Sequence, residues 1–285
     1  MAIEQSLFRS ITVVQTSQQS VETTAMFDAT YVDQDMSPVD QFIDNTNKIN
    51  TIYLPLNHLS REMGTLVLLG YMSAVESYFR AVFRHLVNVD EYSRKLVEPL
   101  NVTYGAALNH KPEILAEALL EEYSFSSSYN VKQALKDFAG IKGNCPSEVE
   151  KSFLDYQKIC EMRHCCVHRF GKLGTKNAIK LGLDSHKDIL EKPLYLTIDG
   201  LQDVSEVIRN FVKIINNYMF ESILSRTFKN RVDSGVIPYK NNWTWDFRRD
   251  KNRFSKYYNI FSSSLDTRPS PPMKNVYDSF RDSFK

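Results

Sequence analysis

From Arg61 to Asn88 the apolar residues Leu69, Met72, Val75, Phe79, Phe83 and Leu86 recur at intervals of three or four. That period turns all six to one side of a long helix, and a stripe of this length must be covered by other elements. The chain supplies further helical patterns. "KPEILAEALLE" at 112–122 opens on Pro112, a residue suited to a first turn, and "YNVKQALKDFA" at 129–139 runs into Gly140 and Gly143, which suit a stop. "CPSEVEKSFLDYQKICEMRHCCVHRF" predicts a second long helix over about 147–169, ended by Gly171 and Gly174. "TIDGLQDVSEVIRNFVKIINNYMFESIL" predicts a last core helix with Thr197 or Asp199 as its cap. In the connection between them, residues 171–198, "KLGL" and "LYLTI" read as short strands. The expected fold is all-α, with room for a small β element.

The two ends read differently. Residues 1–50 carry seven acids against Arg9 and Lys48, with a strand expected at "ITVV" and weak helical patterning around "SPVDQFIDNTNKI". Residues 226–285 carry thirteen basic residues against six aspartates, and interleave Trp243, Trp245, Phe247 and Phe254 with Arg248, Arg249, Lys251 and Arg253. Such a tail either stacks single-stranded bases or packs its aromatics onto the bundle. "TRPSPP" breaks any helix there.

A chain of 285 residues, 42% apolar and 24% charged, can bury a sizeable core. Its net charge of +1 argues against blanket attraction to nucleic acid or membrane. The start, "MAIEQSLFRS", lacks the basic flank and apolar stretch of a secretory signal, and "GTLVLLGYMSAVESYF" is interrupted by Glu76. Four cysteines without framework spacing suggest free thiols in a reducing compartment, so a cytoplasmic location without membrane attachment is expected.

The second long helix carries the chemistry. Val149, Phe153, Tyr156, Cys160, Cys166, Val167 and Phe170 trace its apolar stripe, and Arg163 falls inside it. A buried guanidinium needs a carboxylate, and Glu76, on the stripe of the first helix, is the expected partner. His164 and His168, four apart, share a face with Gln157 and Glu161. Three readings stand: an acid–base site, a metal stripe of Cys160, His164 and His168, or a polar face without chemistry.

The run Arg163-His164-Cys165-Cys166-Val167-His168 fits Arg-(polar)-x-x-x-His and resembles the signature of the HEPN superfamily of RNA-cleaving helical domains. "LLGYMSAVESYFRAVF" is similar to that superfamily's first long helix with its embedded acid, and "SFSSSYNVKQALKDFAGI" to the linker and short helices of its RiboL-PSP-like branch. "YLTIDGLQDVSEVIRNFVKIINNY" is similar to its final helix. The likeness spans about residues 60–225. It implies a HEPN-like bundle of four to five helices over 51–225, flanked by an acidic extension at 1–50 and a basic, aromatic one at 226–285. It also implies a homodimer pairing through the motif helices, and a metal-independent endoribonuclease without cofactor. Arg163 and His168 would carry the reaction, His164 would assist, and Glu76 would support them.

Those residue types suit RNA, whose 2′-hydroxyl is a nucleophile already beside the phosphate. Histidine, with an ordinary pKa of about 6.5, exchanges protons near neutrality, and a guanidinium offers a permanently charged donor fork to phosphate oxygens. Arg169, Lys172 and Lys176 would line a basic rim for the RNA backbone. Uncontrolled cleavage is hazardous to a cell, so a toxin or antiviral-defence role is expected, with an inhibitory or activating protein partner or the acidic N-terminal segment as restraint. The rival reading is a non-catalytic helical module that binds RNA or a protein.

Overall fold

A computed structural model describes residues 13–14, 17, 19–109, 111, 115–229 and 243–284. It divides the chain into two units, Met1–Asp35 and Met36–Lys285. In the first, a 3-10 turn spans Thr24–Met26, and the carboxylates of Glu22 and Asp28 accept hydrogen bonds from Thr24 and Thr30. Of the strand expected at "ITVV", Val13 and Val14 form an exposed bend, and the first two residues lie outside the described residues.

The second unit is all-α, with no sheet among the described residues. Its helices are α1 (Pro38–Tyr53), α2 (Arg61–Val89), α3 (Glu91–Val97), α4 (Tyr104–Asn109), α5 (Leu115–Ala118), α6 (Ser128–Ala139), α7 (Ser147–Arg169), α8 (Thr175–His186), α9 (Ile198–Lys229), α10 (Phe247–Phe261) and α11 (Met273–Phe284). Several boundaries follow from local chemistry. The Ser60 and Ser127 side chains accept from the backbone N–H three residues on and open α2 and α6. Gly140 closes α6 at φ +65, where a Cβ would stand 2.4 Å from the Tyr92 ring. Thr197 caps α9, its hydroxyl accepting from the Gly200 N–H at 3.1 Å. Pro112, expected to open a helix over 112–122, lies outside the described residues; the described part of that stretch is helical at Leu115–Ala118.

Four long helices make the bundle. Gly64 of α2 meets Leu196 just before α9, and Phe79 packs on Phe211 at 6.1 Å between ring centroids. These two helices therefore run the same way. Along α7 the order is reversed: Cys166 meets Thr65, while Tyr156, further back, stacks on Phe211 at 4.1 Å. Helix α1 is antiparallel to α2, with Phe42 against Tyr78 and Ile49 against Gly70. α2 and α9 thus form a central pair flanked by α1 and α7. Leu68, Val75, Phe79, Val82, Phe83 and Leu86 of α2 are wholly buried. One window of α2 is long and apolar enough to cross a membrane, but 61% of that window is buried inside this protein's own core.

Three sequence expectations need correction. The boundary at residue 50 falls inside α1, whose Val39, Phe42 and Ile43 are core residues, so weak patterning concealed a bundle helix. The boundary at 225 falls inside α9, and α10 and α11 belong to the same unit as the bundle. Trp243, Phe254, Tyr257, Phe261, Tyr277 and Phe280 are all buried in its core, which takes these six aromatics out of reach of a base. No strand forms at "KLGL" or "LYLTI"; "KLGL" sits in α8, and a single bridge joins Lys172 to Pro193.

Candidate functional site

The last three turns of α7 hold the motif. His164 and His168 are exposed, their rings 4.4 Å apart and tilted by 47°. Partial burial, and next the neighbouring His168, hold the His164 imidazole below the ordinary histidine range. The fold therefore favours neutral His164, and this contribution to stability is present above the unfolded-state pKa and lost as pH falls. In an NMR titration the His164 midpoint is expected below the free-histidine value of about 6.5, and His168→Ala is expected to raise it. An unchanged midpoint in that variant would remove the coupling between the rings.

Arg163 is half-buried and forms no ion pair among the described residues. The expected pairing with Glu76 is not made. The Glu76 carboxylate accepts from the Phe125 backbone N–H at 2.9 Å and from Arg80 at 3.5 Å. Tyr156 donates to the carbonyl of the same Phe125 at 2.6 Å. Glu76 and Tyr156 therefore anchor the loop before α6.

The apolar stripe of α7 also ends earlier than its sequence suggests. Val149, Phe153, Tyr156, Cys160 and Cys166 are buried, but Val167 is 47% and Phe170 85% exposed. In the antiparallel register set by Tyr156 on Phe211, residue 170 is level with the start of α9, so no core remains to cover it. Arg163, Val167 and Phe170 form an uncovered continuation of the core-facing stripe. Phe170 is the αL cap of α7, at φ 51. An L-residue with a Cβ is strained there, and so exposed a ring recovers little by packing. Phe170→Gly is expected to stabilise the fold by about 0.5–1 kcal/mol, read as a raised urea midpoint. A lowered midpoint would mean the ring is packed.

The basic rim is thinner than the sequence implies. Arg169 is committed to Glu191, with both carboxylate oxygens at 2.7 Å, and Lys158 to Asp155. Lys172 and Lys176 are exposed and form no ion pair among the described residues. Glu161, which shares the histidine face, organises this end of the molecule. It is 4% exposed and accepts from Gln157 at 2.6 Å, Lys180 at 2.8 Å and Asn177 at 2.8 Å. Gln157 in turn accepts from the Ser128 N–H at 3.0 Å, so one network joins α6, α7 and α8. The i, i+4 spacing of Gln157 and Glu161 was the available signal; α8 itself was unseen.

For a metal, Cys160 would have to join the histidines. It is 2% exposed, and burial pushes its thiol up to about 12, whereas both rings face solvent. No group of three or more His, Cys, Asp or Glu side chains is placed to hold a metal ion among the described residues. A cleft of about 940 Å³ is lined by Ser147 and Glu150 in the first turn of α7, far from the histidines.

The fold and site together define an all-α helical protein that presents two contiguous imidazoles and an uncommitted guanidinium at one helix end. The chain matches no protein-family model, no curated protein and no solved structure.

Proposed function

We propose that this protein is a metal-independent endoribonuclease of HEPN type, serving as a toxin or defence effector in the cytoplasm and working as a homodimer through α7. The observation that carries the reading is the group at the end of α7: two exposed imidazoles 4.4 Å apart, with a half-buried arginine that forms no ion pair among the described residues. Arg163 and His168, five residues apart, diverge by about 140° around the helix axis. They serve one phosphate best when a second copy brings its own pair to the same groove, and the uncovered Val167 and Phe170 are the surface on which it would seat.

On this reading one His168 takes the 2′-hydroxyl proton as that oxygen attacks phosphorus. The partner's His168 gives a proton to the departing 5′-oxygen, and Arg163 neutralises charge on the non-bridging oxygens. The products are a 2′,3′-cyclic phosphate and a 5′-hydroxyl. His164, its imidazole held below the ordinary histidine range by partial burial and by His168, is suited to orient His168. Lys172 and Lys176 are the cations left to bind backbone phosphates, and a protein partner would restrain the activity. The test is incubation of purified protein with total RNA and with single-stranded DNA, with and without EDTA. Chelator-resistant cleavage of RNA alone, leaving cyclic phosphate ends, supports the proposal; no cleavage, or cleavage abolished by EDTA, overturns it. One observation favours the non-catalytic module instead: Arg169 and Lys180 are spent on Glu191 and Glu161, which weakens the phosphate-binding rim.

A further inference from the structure

A partly open cavity lies on the side of α7 away from Arg163 and Val167. Met162, Leu173, Leu181, Ile189 and Leu194 wall it, and it holds about 330 Å³. That size falls at the lower end of the range of about 300–1,000 Å³ typical of small-molecule sites. Its charged lining is cationic: Lys158 and Lys192 border it, with His186 and Tyr195 beside them, and among the described residues no Asp or Glu does. Lys158 is held by Asp155 at 2.8 Å, which leaves Lys192, exposed and without an ion pair among the described residues, as its principal charge. His186 is fixed by its Nδ1, 2.8 Å from the Gly182 carbonyl. Since a carbonyl only accepts, Nδ1 carries the proton, and Nε2, an acceptor in that tautomer, offers nothing to an anion.

The backbone around the cavity is built to hold this shape. Helix α8 breaks at Gly182, φ 107, and the chain returns through Lys187–Ile189 to lie along residues 171–173. There Leu173 donates to the Lys192 carbonyl at 3.0 Å, and Leu194 to the Gly171 carbonyl at 2.9 Å. Glu191, at the bend, sits at φ 61. A non-glycine residue persists in that region only where its surroundings over-determine it, and such strain clusters at ligand clamps. Aliphatic walls offer nothing to read the edge of a nucleobase, which needs fixed polar partners. They suit an acyl chain, and the cationic rim suits its terminal carboxylate.

We propose that this cavity binds a medium-chain aliphatic carboxylate, the chain among Met162, Leu173 and Leu181 and the carboxylate at Lys192. The claim is independent of RNA cleavage. Isothermal titration of the full chain with decanoate is expected to saturate at one site. Decyltrimethylammonium, of similar chain but opposite charge, is expected not to bind. Lys192→Glu, at an exposed position that leaves the fold intact, is expected to weaken decanoate binding about fivefold. Leu181→Trp, which fills the cavity, is expected to abolish it. No decanoate binding, equal binding of the cationic probe, or unchanged affinity in the Lys192→Glu variant would overturn the assignment.

Discussion

Arg163→Ala and His168→Ala are each expected to lower RNA cleavage by about 10²–10⁴-fold, measured as the rate of appearance of cyclic phosphate ends. Neither is expected to shift the unfolding midpoint appreciably. His168 is exposed, and Arg163 contributes no ion pair to the fold, so both substitutions fall among those worth within about 0.5 kcal/mol. Arg163→Lys is expected to recover little, because an ammonium cannot present the guanidinium's planar fork to two phosphate oxygens. The double variant is expected to be barely worse than either single one, since groups serving one transition state are not additive. Wild-type rates in both folded single variants would leave the exposed imidazoles without a catalytic role and return the site to the binding-module reading.

Asp90→Ala is expected to cost about 3–5 kcal/mol of stability, measured by urea unfolding. Asp90 is completely buried at the junction of α2 and α3. It caps α3 through the Ser93 N–H at 2.8 Å, accepts from the Tyr257 hydroxyl of α10 at 3.0 Å, and pairs with Arg226 of α9 at 2.5 Å. Arg226 also donates to the Ala139 carbonyl at the end of α6 and lies over the Tyr92 ring at 4.2 Å. One carboxylate thus joins four helices, and its removal strands a guanidinium that is 13% exposed. Asp90→Ala combined with Arg226→Met is expected to recover part of the loss, because the stranded charge carries most of the penalty. Tyr257→Phe, which deletes one hydroxyl contact, is expected to cost about 1 kcal/mol. A mild effect of Asp90→Ala would mean that water reaches the pair.

The motif helix was legible almost to the residue: Pro146 and the acids of its first turn mark the start, and α7 runs Ser147–Arg169. Its exposed end was not legible. Val167 and Phe170 continue the period of Phe153 and Cys160, and periodicity records which side of a helix is apolar without recording where the neighbouring helix stops. Helix α8 was misread because Gly182 interrupts it, and short apolar runs beside a glycine resemble strands as closely as helices. The Glu76–Arg163 pairing failed for a related reason: two charges on facing stripes meet only if their heights match, and Glu76 found backbone donors nearer at Phe125.

What the sequence by itself determined is the set of long helices, the composition of their buried faces, and the presence of Arg163, His164 and His168 on two adjoining turns. These follow from periods and caps, which are local properties of the chain. The tertiary structure alone decided that the aromatic tail joins the core, that Glu161 rather than Glu76 organises the motif end, that Arg169 is spent on Glu191, and that a cavity opens beside α7. The first depends on the relative heights of helices distant in sequence, and the others on the height at which α8 and the segment after it fold back on α7. Those heights are set by packing summed over the whole core, which no short stretch of residues encodes.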